Sequence, residues 1–215
     1  MARRAKSTIA TITASFASSA IRDSVCDSRL TLTGVVPGRT QDPSMYAYIA
    51  TRNALIGSGC KQLFSSLTHD TLGGLLQYPL RAATNRALTD FVDYCVELAL
   101  ADVGTISSPH GERHQDDPAY WKIFMRDVLS TCAGDLVYDV GMSRSRLARK
   151  ARGEPPNEIV DTAMWAFASG AATEFVRTRF NEQQTPDYLR AGMRKSVFKV
   201  AFTYLYSLLM AEDEK

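Results

Sequence analysis

Apolar residues recur at helical spacing along most of the chain beyond residue 43. The clearest stripe runs through residues 81–103, where apolar side chains follow the i, i+3, i+4, i+7 pattern of one helix face. Its members are Leu88, Phe91, Val92, Cys95, Val96, Ala99 and Leu100. We expect this helix to begin after Pro79 and to end at Gly104, because proline and glycine both interrupt helices.

Capping and breaking residues delimit the helices on either side. Ser44 is suited to cap a helix that continues to about Leu67. Pro118 fits the first turn of a later helix, whose apolar stripe reaches Cys132. Gly134 weakens that stripe, since glycine is a poor helix former, although the next few residues continue it as far as Gly141.

Three more helices are predicted in the carboxyl-terminal part of the chain. Ser143 is expected to cap a separate basic helix, which Gly153 and the prolines after it end. Asn157 then caps a helix over 159–179, and the last helix begins at 185–187. We expect the apolar stripes of these last two helices to face the core. They comprise Val160, Met164, Phe167, Ala168, Ala171, Ala172 and Phe175, and then Met193, Val197, Val200, Ala201, Tyr204, Leu205, Leu208 and Leu209.

The two ends of the chain have a different character. Residues 2–28 are rich in Ser, Thr and Ala, and their β-branched residues weaken a loose helical stripe, so we expect a polar arm that is part helix and part mobile. Glycines and prolines in 30–43 predict a loop with a short extended piece. The fold class predicted is therefore all-α. A single helical-bundle domain of six to eight helices spans 44–211, with an N-terminal arm and loop over 1–43 and a short acidic tail over 212–215.

Composition places the chain among ordinary globular proteins. It has 215 residues, of which 45% are hydrophobic, enough for one domain with a buried core. Its four cysteines lack any C-x-x-C pair, which indicates free thiols in a reducing compartment. No apolar run approaches the roughly 20 residues that cross a bilayer, and the Ser/Thr-rich start lacks an apolar signal region. We therefore expect a cytosolic protein without a membrane partner.

Charge is segregated along the chain, although the formal net charge is only +2. Residues 142–152, called the basic segment below, contain five cationic residues and no acidic one. These cations are Arg144, Arg146, Arg149, Lys150 and Arg152. Like charges repel unless an anion faces them, and guanidinium groups bind phosphate in a bidentate manner, so the basic segment predicts contact with a nucleic-acid backbone. A solvated helix face would explain the same run without a ligand. Lys195 and Lys199, one helical turn apart, are the second candidate phosphate contacts.

Motifs for catalysis or cofactor binding are missing from the sequence. His110 and His114 flank a glutamate and would suit zinc on a helix, but the prolines and glycine around them predict a loop. Neither a nucleophile elbow nor a papain-like signature accompanies any Ser or Cys. The glycine-rich residues 57–61 lack the spacing of a phosphate-binding loop. We therefore expect a protein that is not an enzyme and that uses neither a metal nor a cofactor.

Three segments resemble the coat proteins of flexuous filamentous plant viruses, the group that includes potexviruses, vitiviruses and potyviruses. Residues 97–108 form a helical pattern that runs into Asp-Val-Gly and then Ser/Thr. Residues 163–170 read Ala-Met-Trp-Ala-Phe-Ala-Ser-Gly and are similar to a vitivirus-like Phe-Asp-Phe-Ala-Ser-Gly, whereas 188–209 are similar to the potyviral helix around Ala-Phe-Asp-Phe. The two carboxyl-terminal matches are alternatives, because each assigns the Phe-Asp-Phe segment to a different helix.

This chain departs from the family at a salt bridge. The family pairs an arginine with the aspartate of Phe-Asp-Phe, whereas this chain has Ala166 or Thr203 at the corresponding position. The counterpart of the family arginine is Arg86, Lys122 or Arg126. The resemblance implies a helical-bundle subunit that polymerises around single-stranded RNA, with its amino-terminal arm docked on the next subunit. It also implies a location in the virion and the host cytoplasm.

Charge placement and resemblance together predict a structural protein that coats single-stranded RNA, with the basic segment as the leading phosphate contact. The alternative is a cellular α-helical regulator or adaptor, either a DNA-binding repressor or a peptide-binding module. A repressor ordinarily shows an early helix-turn-helix, and none is evident in the first 70 residues. A third hypothesis, binding of acidic lipid head groups, is disfavoured because Leu147 alone could insert into a bilayer.

Overall fold

The computed structural model describes residues 2–26, 29–31, 34–36, 43–64, 71–102, 118–180 and 185–211. Within these residues the chain forms six helices and one short antiparallel hairpin. In chain order they are α1 Ala2–Cys26, β1 Arg29–Thr31, β2 Gly34–Val36, α2 Pro43–Phe64, α3 Thr71–Asp102, α4 Pro118–Arg152, α5 Glu158–Arg179 and α6 Tyr188–Ala211. The predicted all-α fold is confirmed, and the hairpin supplies the extended piece expected after residue 30.

The helices pack in a cycle. Each helix contacts the helices before and after it in the chain, and α1 closes the cycle by packing on α6. Contact is most extensive between α4 and α5, between α5 and α6, and between α6 and α1. None of the described helices combines the length and the apolar character needed to cross a lipid bilayer.

The first helix packs on the body of the protein. Ala10, Ala14 and Ser18 lie one turn apart and are buried, and such small side chains allow α6 to approach closely. Two polar contacts hold the same pair of helices: the hydroxyls of Ser7 and Tyr206 are 3.0 Å apart, and an Arg194 nitrogen lies 3.1 Å from Asp23 Oδ1. The prediction of a partly mobile arm therefore differs from the structure over residues 2–26. Low helix propensity is overridden there by tertiary packing.

The third helix is longer than its sequence suggests. It begins at Thr71 rather than after Pro79, and it passes through Pro79 without ending. Proline in a helix interior removes one backbone hydrogen bond. Tyr78 and Ala82, on either side of that proline, are buried, and their packing stabilises the helix across it.

The fourth helix is continuous where the sequence predicted two. Gly134 and Gly141 lie where α5 comes closest, because a Cβ at Gly134 would overlap the Thr173 hydroxyl and one at Gly141 would overlap the Trp165 ring. These glycines permit close helix packing and do not end the helix. Ser143 does not cap a new helix, since its hydroxyl donates to the Asp139 carbonyl at 2.8 Å within the same helix.

The face of the fifth helix that packs in the core is opposite to the face that the sequence predicted. Its buried residues are small or polar: Asp161, Thr162, Ala166, Ser169, Gly170 and Glu174. Ser169 donates a hydrogen bond to the Gly134 carbonyl at 2.5 Å, and a Cβ on Gly170 would overlap the Ala191 backbone of α6. The inward orientation predicted for Val160, Met164, Phe167 and Phe175 is wrong, because all four are exposed. The small residues Ala166, Ser169 and Gly170 on the covered face allow α4 and α6 to pack closely against α5.

Candidate nucleic-acid interface

The basic segment forms the last part of α4 and is followed at once by α5. Gly153 has a positive φ of 68° and ends α4 with two backbone bonds, from Gly153 N to Lys150 O at 3.2 Å and from Glu154 N to Arg149 O at 3.0 Å. This is the pattern of a glycine-terminated helix. Asn157 then caps α5, as predicted, by accepting a bond from Val160 N at 3.3 Å. Both ends of the connection are therefore fixed by local hydrogen bonds.

Two of the five cations in the basic segment are engaged within the protein. The guanidinium of Arg149 binds both carboxylate oxygens of Asp161, through Nε at 2.8 Å and through Nη2 at 3.1 Å. Asp161 is buried at the start of α5, so this pair ties the end of α4 to α5. Arg152 binds Glu154 at 2.6 and 3.1 Å in the connecting turn.

These two pairs also shift the titration of their members. The hydrogen bond from Arg149 lowers the pKa of Asp161 and raises the pKa of the arginine itself. The hydrogen bond from Arg152 likewise lowers the pKa of Glu154. Both carboxylates are therefore charged at neutral pH and hold their arginines in place.

The other three cations project into solvent. Arg144, Arg146 and Lys150 are exposed, and no ion pair or side-chain hydrogen bond to them occurs within the described part of the chain. Arg146 and Lys150 lie one helical turn apart and so face the same side of α4. These three residues are called the open cations below. Such groups are available to an external anion.

A cavity of about 270 Å³ adjoins the open cations between the end of α4 and the start of α5. Arg146 and Lys150 line it on one side, and Met142 and Pro156 supply apolar surface. Three carboxylates also line the cavity, from Glu154, Glu158 and Asp161. The arginine pairs described above neutralise Asp161 and Glu154. Against the remaining carboxylate, Glu158, the cavity presents both Arg146 and Lys150, so its lining keeps an excess of positive charge.

The orientation of α4 against α5 is set by one aromatic residue. The indole nitrogen of Trp165 donates to the Ser145 hydroxyl at 2.7 Å, within the basic segment itself. The same indole packs against Gly141 one turn earlier. The open cations therefore lie on a helix whose rotation is fixed, and their arrangement is preorganised for a ligand.

The second candidate face, on α6, has contacts inside the protein. Lys195 is 3.7 Å from Asp135 Oδ1, and burial lowers its pKa while Asp135 opposes that shift. The ammonium of Lys199 lies over the Tyr138 ring, 4.9 Å from its centroid. Both lysines therefore contact α4. Their assignment as phosphate contacts stays a prediction, ranked after the open cations.

The candidate counterparts of the coat-protein arginine and aspartate lie on four different helices. Arg86 pairs with Asp127 at 3.1 Å and Arg126 pairs with the same aspartate at 2.8 Å, whereas Lys122 is exposed. Ala166 is fully buried on α5, and Thr203 is half-buried on α6. Among the described residues no cluster of three metal-ligating side chains occurs. His110 and His114 lie outside the described residues.

Sequence reasoning missed both the clamp between Arg149 and Asp161 and the outward stripe of α5. The clamp joins residues twelve positions apart on different helices, so no local spacing signals it. The chain matches no family model, no curated protein and no solved structure.

Proposed function

We propose that this chain is a structural protein that polymerises and coats single-stranded RNA, as the subunit of a helical viral capsid or nucleoprotein filament. The proposal rests on the open cations. They project from a helix whose end is fixed by the backbone hydrogen bonds at Gly153 and whose rotation is fixed by the contacts of Trp165. Arginine and lysine at such positions bind phosphate without reading sequence, which is what a coat protein requires.

The number of open cations argues for many subunits acting on one strand. Each phosphate contact with a single strand contributes about 0.7 to the salt dependence of binding, so three contacts give a slope of only about 2 per subunit. Binding by one subunit alone is therefore weak and salt-sensitive. Subunits joined to each other gain affinity because each further contact becomes intramolecular.

The apolar wall of the adjoining cavity favours a single strand over a duplex. Met142 and Pro156 lie beside Arg146 and Lys150, so an unpaired base can contact apolar surface while its phosphate meets the cations. Bases in a duplex are stacked inside the helix and cannot enter such a cavity.

Association of subunits has a candidate surface on the amino-terminal helix. The sequence hypothesis assigned contact with the next subunit to the arm over 1–43. The outward side of α1 bears Ile9 and Phe16, which are 64% and 39% exposed, so the folded helix can dock as an apolar surface on a neighbouring copy.

The test compares two pairs of charge-removing substitutions. The test variant carries Arg146→Ala and Lys150→Ala, and the control carries Lys122→Ala and Arg190→Ala, which remove the same charge from exposed positions elsewhere. We expect the test variant to lose about 1.4 from the salt slope of single-stranded RNA binding, whereas the control keeps the wild-type slope. An unchanged slope in the test variant would overturn the assignment of the open cations.

Purification and negative-stain microscopy test assembly itself. We expect wild-type protein to copurify with nucleic acid, with a raised 260/280 absorbance ratio, and to form filaments or rings. Protein that is free of nucleic acid and monodisperse would contradict the proposal and favour the cellular regulator or adaptor.

A further inference from the structure

The outward side of α5 is a continuous apolar stripe. Val160 is 53% exposed, Met164 49%, Phe167 37% and Phe175 48%, and the small residues Ala168 and Ala171 lie between them. These six residues are called the α5 stripe below. They follow the spacing of one helix face along most of α5, and the opposite faces of the helix are covered by α4 and α6.

The neighbouring helix extends this surface. α6 runs antiparallel to α5, with the rings of Phe175 and Tyr188 6.5 Å apart near one end and Phe167 against Gly192 further along. Leu189 and Met193 on α6 are 64% and 44% exposed. At roughly 150–250 Å² for an aromatic side chain and about 150 Å² for Val, Leu or Met, the exposed parts of these residues and the α5 stripe provide roughly 450–550 Å².

That area is more than half of what one partner contributes to a stable complex. A specific interface buries about 800 Å² per partner, and monomeric proteins rarely expose a contiguous apolar patch of more than a few hundred Å². The α5 stripe therefore needs a cover of similar size and apolar character.

We infer that a second copy of this chain covers the α5 stripe, with the two α5 helices packed antiparallel about a two-fold axis. The inference deepens the proposed function and rests on its requirement that subunits associate. It names the surface through which two of them pair.

The order of residues in the stripe is self-complementary under that symmetry. A two-fold axis between positions 167 and 168 places position i of one copy opposite position 335 − i of the other. Each of the three largest side chains of the stripe then faces a smaller one of the second copy: Met164 faces Ala171, Phe167 faces Ala168 and Phe175 faces Val160. Alternation of large and small side chains across a helix pair is how such interfaces reach interior packing density.

An isologous pair of this kind is closed and cannot extend by itself. A filament built from such pairs needs a second contact surface, and the outward side of α1 is a different part of the molecule. The α5 stripe is thus a pairing surface, and polymerisation requires another.

The first experiment measures mass in solution on nuclease-treated protein, so that RNA cannot bridge copies. Sedimentation equilibrium of the wild type should give a concentration-dependent mass that approaches twice the 23.7 kDa of one chain. Met164→Lys should raise the dimer dissociation constant at least about tenfold, because it buries an unpaired ammonium. The matched control is Leu76→Lys, an exposed site on α3, which should leave the constant unchanged.

A charge exchange gives an independent readout if Met164→Lys fails to fold. Met164→Glu alone sets a carboxylate against the apolar Ala171 of the other copy and should weaken the dimer, and adding Ala171→Lys should restore it, because positions 164 and 171 face each other across the axis. A wild type that sediments at 23.7 kDa, a Met164→Lys variant that dimerises like its control, or a double variant no tighter than Met164→Glu would each overturn the inference.

The outcome for RNA is separable. The Arg146→Ala, Lys150→Ala variant should still dimerise while binding RNA weakly. If the wild type dimerises but binds no RNA, the proposed function is contradicted and the pairing surface is supported. If the wild type binds RNA but is monomeric in its absence, the proposed function is supported and the pairing surface is contradicted.

Discussion

The indole of Trp165 on α5 lies against Gly141 on α4, so closely that a Cβ at position 141 would overlap the ring. The same indole donates to Ser145 at 2.7 Å, one turn further along α4. Trp165 therefore fixes both the distance between the two helices and their relative rotation. The position of the basic segment depends on this contact.

Gly141→Ala should destabilise the protein, although alanine is the better helix former. The added methyl group must displace the indole, and overpacking of this kind costs about 1–3 kcal/mol. Urea denaturation followed by circular dichroism measures the loss. Gly59→Ala on α2 is the matched control, because nothing lies within 4 Å of its added Cβ and the change should stabilise by up to about 1 kcal/mol. Equal effects of the two variants would contradict the close packing described for Gly141.

The clamp between Arg149 and Asp161 predicts a loss of stability in acid. Because the arginine lowers the pKa of Asp161, the stabilisation is present above the ordinary pKa of an aspartate and is lost as the pH falls through the lowered value. Asp161→Asn should lower the urea midpoint at pH 7 and reduce its fall between pH 5 and pH 2. Arg149→Lys should act in the same direction, since lysine cannot bind both carboxylate oxygens, whereas Arg144→Lys at an open cation should have no effect.

Local sequence signals predicted those parts of the fold that depend on local contacts. Asn157 caps α5 and Gly153 ends α4 because both act on backbone groups a few residues away. Gly134 and Gly141 misled the prediction of α4, since glycine serves close packing as well as chain interruption and only the position of α5 distinguishes the two. The start of α3 was missed for a related reason, because tertiary burial of Tyr78 outweighs the presence of proline.

The candidate site shows the same limit. The sequence locates the basic segment but does not divide it, since Arg149 and Arg146 look equivalent until Asp161 is placed beside the former. Periodicity likewise identifies Met164 and Phe167 as members of one stripe without showing which side of α5 the protein covers. The opposite side of α5 is the covered one, because short side chains there, such as Ser169, allow α4 and α6 to approach.

Tyr78 predicts a loss of stability in alkali. Burial, together with a hydrogen bond to Asp139, raises the pKa of its phenol to about 12. The folded state therefore keeps a proton that the unfolded chain releases near pH 10, so stability is fully present below pH 10 and falls as the pH rises towards about 12. Tyr78→Phe should flatten the decline in urea midpoint between pH 9 and pH 12. Tyr204→Phe, at an exposed tyrosine, should leave the decline unchanged, and equal declines in both variants would contradict the role of Tyr78.

Arg149 and Arg146 lie in one helix, three residues apart, yet their substitution should have opposite consequences. Arg149→Ala leaves the buried Asp161 carboxylate without its partner, so it should lower the urea midpoint while the salt slope of RNA binding by the remaining folded protein stays at the wild-type value. Arg146→Ala removes an exposed group that has no ion pair or side-chain hydrogen bond in the described structure, so it should leave the free energy of unfolding within about 0.5 kcal/mol of wild type and reduce the salt slope by about 0.7. Both quantities are measured on the same preparations, by urea denaturation and by fluorescence anisotropy with single-stranded RNA across a salt series. If Arg146→Ala destabilises the protein as much as Arg149→Ala does, the division of the basic segment into clamped and open cations is wrong.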